Sequence, residues 1–328
     1  MTAFRGSISD ATPKQHVLAS ALPGTEKRGR PKLPHSRGQN WLGGVIGGIL
    51  GLIILSPAIG WAHGELLIRI DEVTQRIVAA TNTPERLAPL YVERGDLYRE
   101  DENWEEAEAD FNRAAALAPH WAAVDFFRGK LRAATDQLEA ARALFDKVLA
   151  RDANDGAARV ERARVLVRLK ELPLAEADFQ RGATLLAEPE PEVFVEWAQV
   201  LITEGRTNDA LRALDMGIQK LGVLPPLQTL ALDLEVGRRN YPQALKRLET
   251  LHARAMRKEG WQARRGDILR AMGRDAEAKT SYAAALVTIK ALPPRIQQGP
   301  AMTDLRARVQ AALAELGEPP AHNAPAPP

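Results

Sequence analysis

Cysteine is absent from all 328 residues. That absence excludes disulfides, thiol nucleophiles and a lipid anchor built on a cysteine, and it suits either redox compartment. Aromatic residues are scarce, at 5% of the chain, while alanine is abundant, a balance that favours helices packed closely through small side chains. The six histidines are scattered: His16 and His35 precede position 40, His322 lies in the last stretch, and His63, His120 and His252 are far apart between them. No HExxH, no phosphate-cradling Walker loop and no G-x-S-x-G is present. Carboxylates cluster as Glu100-Asp101-Glu102 and Glu105-Glu106 around Trp104, a place that reads as an inter-helix turn and a helix start, where acidic groups suit the helix dipole. No catalytic residue, cofactor or metal site is therefore expected, and the chain reads as non-enzymatic.

The net charge of +2 conceals two regions of opposite sign. Residues 1–40 hold seven basic residues against Asp10 and Glu26, a balance of +5; residues 41–62 hold no charge; residues 63–328 therefore carry −3. A mildly acidic body argues against a phosphate-binding surface and so against a nucleic-acid partner. Residues 1–40 are rich in proline, glycine and basic residues without apolar periodicity, and read as a disordered cytoplasmic leader. The charge-free run WLGGVIGGILGLIILSPAIGWA over 41–62 would be about 33 Å long as a helix, enough to cross a bilayer core. Its basic flank precedes it, so the positive-inside rule sends residues 63–328 out of the cytoplasm. Two readings share that topology. In one, the run is a signal peptide broken at Pro57 and cleaved between Ala62 and His63; in the other it is an uncleaved inner-membrane anchor, N-in and C-out, bracketed by Trp41 and Trp61.

Beyond that segment one pattern recurs. Ala107, Ala141, Ala175, Ala210, Ala244 and Ala278 follow one another at intervals of 34, 34, 35, 34 and 34 residues. Four positions after each comes Phe111, Phe145, Phe179, Leu214, Leu248 or Tyr282, and twelve before each comes Gly95, Gly129, Ala163, Ala198, Leu232 or Gly266. The region 88–292 resembles the tetratricopeptide repeat family, with repeats at 88–121, 122–155, 156–189, 191–224, 225–258 and 259–292. The first matches best, through Tyr91, Gly95, Tyr98, Ala107, Phe111, Ala114 and Pro119, with Arg94 where the family has leucine. The resemblance implies an all-α fold: a right-handed α-solenoid of about six helix pairs in which the small residues mark the closest crossing and the bulky residue fills the wedge toward the next repeat. Leu232 should then force a local shift. Residues 63–87, with an apolar stripe over Glu65–Ala80, predict an N-terminal capping helix, and 293–316, with Thr303–Leu316, a C-terminal one. Residues 317–328 read as a proline-rich disordered tail.

In the family, certain positions of each first helix line a concave groove. Here they are Val92, Asp96, Arg99, Phe126, Lys130, Val160, Arg164, Val167, Arg168, Val195, Gln199 and Ile202. An apolar strip beside the basic centre of Lys130, Arg164 and Arg168 would suit a peptide carrying an acidic residue. The lysine and asparagine pattern that clamps chaperone C-termini is missing, since Val92 and Asp96 stand in its first pair. The expectation is an exported adaptor of the cell envelope that holds a protein or peptide partner, tethered through 41–62 unless that segment is cleaved. Two alternatives stand beside it: a metal-handling or enzymatic accessory using His63 as a mature amino terminus, and a self-associating structural scaffold.

Overall fold

The computed structural model describes residues 57–80 and 84–317. The leader 1–40, most of the charge-free segment 41–62 and the tail 318–328 lie outside the described residues. Helix α1 (Pro57–Ala79) includes the last six residues of that segment, so Pro57 opens a helix where the sequence had suggested a break. Among the described residues, no helix is long and apolar enough to cross a membrane.

Twelve helices follow as six antiparallel pairs: α2 (Pro84–Glu100) with α3 (Trp104–Leu117), α4 (Ala122–Ala134) with α5 (Leu138–Arg151), α6 (Gly156–Arg168) with α7 (Leu172–Leu185), α8 (Pro191–Thr203) with α9 (Thr207–Leu221), α10 (Pro225–Gly237) with α11 (Tyr241–Arg254), and α12 (Glu259–Ala271) with α13 (Asp275–Ala291). Short α14 (Pro294–Gln297) and long α15 (Pro300–Gly317) close the array, and Gly317 belongs to this helix and not to the tail. Prolines open α8 and α10, where the missing N–H has no intrahelical partner to lose. No strand occurs among the described residues.

Numbering each repeat from 1 to 34, the residue at position 15 always has a left-handed backbone: Glu102, Asp136, Lys170, Gly205, Arg239 and Gly273, with φ between 59° and 74°. Left-handed backbone costs a side-chain-bearing residue about 1–2 kcal/mol. Each turn offsets that cost by capping the first helix, because the next residue's N–H reaches back five positions: Asn103 to the Tyr98 carbonyl at 2.8 Å, Gln137 to Arg132 at 2.8 Å, Glu171 to Leu166 at 2.9 Å, and the same in the other three repeats. Four of these six residues are not glycine, so composition gave no warning of the turn.

In the first, second and sixth pairs the helices approach closely between positions 8 and 24, and in the third and fourth also at Gly182, against Val160, and Gly217, against Phe194. A Cβ placed on Gly95 would lie 2.6 Å from the Phe111 ring, on Gly129 2.8 Å from Phe145, and on Gly266 2.5 Å from Tyr282. The bulky residue thus seats on the small residue of its own repeat as well as on the next; Phe111 also packs with Phe127 and Leu131. Size is traded across this contact. Three glycines face aromatic rings, while Leu232 faces Leu248 in one buried cluster, so the smaller partner makes room for Leu232.

Arg94, the departure from the family pattern, ties the cap to the array. Its guanidinium donates to both oxygens of the fully buried Asp110 at 2.6 and 2.9 Å and to Thr74 of α1 at 3.0 Å, between the rings of Tyr91 and Tyr98. Asp110 raises the Arg94 pKa through that hydrogen bond, against the opposing effect of burial. Arg162 and Asp178 repeat the arrangement at the same positions of the third repeat, at 2.6 and 2.9 Å. Around it, Ile70, Val73 and Ile77 of α1 pack on Leu87, Leu90 and Leu97, and at the other end Val309 of α15 is buried against Ala263 and Tyr282.

The position 8–24 contact yields a stability test. Gly129→Ala should destabilise in urea melts, since overpacking costs about 1–3 kcal/mol and improved helix propensity returns at most about 1 kcal/mol. Combining it with Phe145→Leu should cost less than the sum of the two single losses. A Gly129→Ala variant more stable than the parent would show that the ring does not limit the helix approach.

Candidate functional site

The first helices of the six repeats, α2, α4, α6, α8, α10 and α12, carry the expected groove residues, and their side chains fall into three groups. Val92 and Val160 are in the core at 4% exposure, packed between helices, which corrects their assignment to a binding surface. Position 5 is not uniform, since Val195 occupies it in the fourth repeat and lines a cavity. Phe126 is also largely structural: its ring meets Phe127 and Phe145 edge-on, with centroids 5.2 and 5.8 Å away. Ile202 packs against the central apolar cluster.

A second group is charged and already paired. Asp96 accepts from Arg99 at 2.6 Å and from Lys130 of the next repeat at 3.4 Å, while the Lys130 ammonium sits 5.1 Å from the centre of the Phe127 ring. Arg164 donates to Glu196 of the following repeat at 2.9 Å and to Glu161 at 2.8 Å. Desolvation, the largest influence on Arg164, opposes its charge, but these two glutamates outweigh it and hold the pKa above the ordinary value. Arg168 bonds the Ala133 carbonyl at 2.6 Å and Asp136 at 2.7 Å. The basic centre expected from sequence is thus neutralised by carboxylates reaching across from neighbouring repeats. Half-exposed pairs of this kind contribute at most about 1 kcal/mol each, so their clearer effect is on the charge a ligand would meet.

The third group lines open space. Arg164, Val167, Val195 and Gln199 converge on a cavity of about 380 Å³ between α6, α7 and α8, completed by Leu172, Phe179, Glu196, Val200 and Thr203. Gln199 and Thr203 are exposed at its mouth. A larger cavity, about 620 Å³, opens between α10, α11, α12 and α15, with Val236, Tyr241, Trp261 and Ile268 as its apolar lining and Arg264, Asp267 and Arg308 as its charged groups. Arg264 is paired with Asp233, and Arg308 with Asp267 at 2.7 Å. Asp267 also accepts from the Tyr282 hydroxyl at 2.7 Å; burial first, and this bond second, push the phenol pKa above its ordinary value.

The two cavities use the same repeat positions. Val167 and Val236 share position 12, Leu172 and Tyr241 position 17; in the following repeats, Glu196 and Arg264 share position 6, Gln199 and Asp267 position 9, Val200 and Ile268 position 10, Thr203 and Ala271 position 13. Val236 and Asp267 share positions 12 and 9 with the expected groove residues Val167 and Gln199, whereas Tyr241 and Trp261 lie outside the family's groove set. Arg308 comes from a capping helix whose docking the repeat pattern does not encode. Among the described residues, no three His, Cys, Asp or Glu side chains gather in a metal-binding group. His63 falls within α1, with its side chain outside the described residues.

Residues 88–121 match the profile of the tetratricopeptide repeat. No curated protein matches the chain in sequence. Among solved structures, the C-terminal part of a TPR repeat-containing protein from Cytophaga hutchinsonii aligns at a TM-score of 0.53 and 15% identity, over 75% of this chain and 96% of that one. PilF of Pseudomonas aeruginosa aligns at 0.50 and 14%, over 70% and 98% respectively. At these identities the likeness is one of fold. The helix pairs are a tetratricopeptide-type helical repeat array.

Proposed function

We propose that this chain is a non-enzymatic interaction scaffold of the cell envelope, holding a protein or peptide partner along the face formed by its first helices. Arrays of this repeat act through extended surfaces of that kind. The observation that carries the reading is the apolar cavity between α6, α7 and α8, open beside the exposed amide of Gln199 and walled by Val167, Leu172, Val195 and Val200. An apolar recess with a few polar groups at its mouth is the usual form of a recognition site. The envelope location is supported by the charge-free run 41–62 behind a leader of net charge +5. In this reading the segment either anchors the chain N-in and C-out or is removed before His63.

Gln199→Arg combined with Thr203→Arg alters only exposed groups at the cavity mouth. The folded variant, with unchanged helical content, should lose most of the partner that the full chain captures from membranes. Capture of the same partner at undiminished strength would move recognition to the opposite face. For location, a reporter fused after residue 65 should be exported, and deleting 41–62 should leave the chain in the cytoplasm; a cytoplasmic full-length protein would exclude the envelope.

A further inference from the structure

The two cavities are equivalent sites two repeats apart, and their walls state what each accepts. We infer that the partner is one extended segment carrying two bulky neutral side chains, an aliphatic one for the cavity at Val167, Val195 and Val200 and an aromatic one for the cavity at Tyr241 and Trp261. This rests on the first-helix face being the binding surface and adds which chemistry it recognises.

Three observations lead there. The first is the register: six repeat positions, 12 and 17 of one repeat and 6, 9, 10 and 13 of the next, line both cavities, so both open in the same way onto the same face. The second is position 6. In the second and fifth repeats it holds Phe127 and Leu230, which pack against apolar neighbours. In the third, fourth and sixth it is charged and ion-paired, Glu161 and Glu196 both with Arg164 and Arg264 with Asp233, and of these three Glu196 and Arg264 stand on the walls of the cavities. The third is charge. Every rim charge has an opposite partner: Arg164 with Glu196, Arg264 with Asp233, and Arg308 with Asp267. A ligand carboxylate would have to displace a protein carboxylate from its arginine, exchanging one pair for another, so charge offers little selectivity at either mouth. What remains available is apolar wall: three valines and Leu172 with the ring of the buried Phe179 at one site, and the rings of Tyr241 and Trp261 with Val236 and Ile268 at the other, where an aromatic ring gains beyond simple burial.

Spacing follows from helix packing. First helices in direct contact lie about 8–10 Å apart, so two steps cover at least about 16–20 Å, which an extended chain at about 3.3 Å per residue spans in no fewer than about five or six residues. Gln199, exposed beside the first cavity, can bond the backbone of such a segment without specifying its side chains.

The test is selection of displayed random peptides on the immobilised full chain, followed by measuring their affinity for variants that plug one cavity each. Thr203→Trp and Ala271→Trp suit this purpose because both replace exposed position 13 residues at a cavity mouth. The selected peptides should share two bulky neutral residues at a fixed separation of at least about five or six residues. Each plug alone should weaken them by at least about tenfold, as loss of one anchor does, with little change between about 0.1 and 1 M salt. Peptides that need only one anchor, that ignore the Ala271→Trp plug, or that depend on an acidic residue would overturn the two-anchor inference while leaving the binding face in place. Peptides insensitive to both plugs and to Gln199→Arg, or no selected peptide at all, would instead sink the reading of the face as a binding surface.

Discussion

Everything else in this array depends on how closely the two helices of a repeat approach at positions 8 and 24. A glycine under an aromatic ring in three repeats, an alanine beside Phe179 or Leu214 in two and a pair of leucines in the fifth make this contact, and the left-handed residue at position 15 sets the same turn. Because those two features recur six times, the repeats share one frame, on which a given position can still be buried in one repeat, as Val92 and Val160 are, and line a cavity in another, as Val195 does. The constraint is sharp in the glycine repeats, where a single added methyl group would meet the ring of Phe111, Phe145 or Tyr282. Interiors packed at crystal-like density have little room to absorb it.

Along that frame side-chain identity varies, and position 6 shows it. Phe127 and Leu230 pack there against apolar clusters, while Glu161, Glu196 and Arg264 are held in ion pairs, the last two on the cavity walls. The ion pairs that bridge successive repeats therefore do more than add modest stability. They neutralise the charges that stand on the cavity walls, Arg164 with Glu196, Arg264 with Asp233 and Arg308 with Asp267, so that the proposed site has shape and apolar contact left to offer a ligand. The buried Arg94–Asp110 and Arg162–Asp178 pairs have another role: each ties the two helices of one repeat together, and Arg94 also holds the cap. Removing one partner of such a pair leaves a buried charge uncompensated, whereas replacing both with apolar residues can be neutral.

Periodicity made the helix pairs legible, since Ala107, Ala141 and their equivalents repeat at nearly fixed intervals and composition alone excluded thiol chemistry. An inter-helix turn was legible at Glu100–Glu102, but the left-handed residue at position 15 was not, because Glu102, Lys170 and Arg239 do not favour that conformation; only the backbone bonds around them show the cap. Val92 and Val160 were misplaced for a geometric reason: a helix stripe read from spacing cannot tell a groove wall from an inter-helix contact a few tens of degrees around. The basic centre was misread because its neutralising carboxylates, Asp96, Glu196 and Asp136, lie about a repeat away in sequence and adjacent in space. Arg308 enters its cavity from a helix outside the repeat pattern, where no sequence rule would place it.

The central claim is that the first helices form the recognition face. Hydrogen exchange of the full chain, followed with and without the partner captured from membranes, addresses it most directly. Slowed exchange is expected in α6, α8, α10 and α12 and at the starts of α7 and α11, where Leu172 and Tyr241 line the cavities, with α9 little changed. Slowing confined to the second helices, or to the segments before residue 57 and after residue 317, would contradict it.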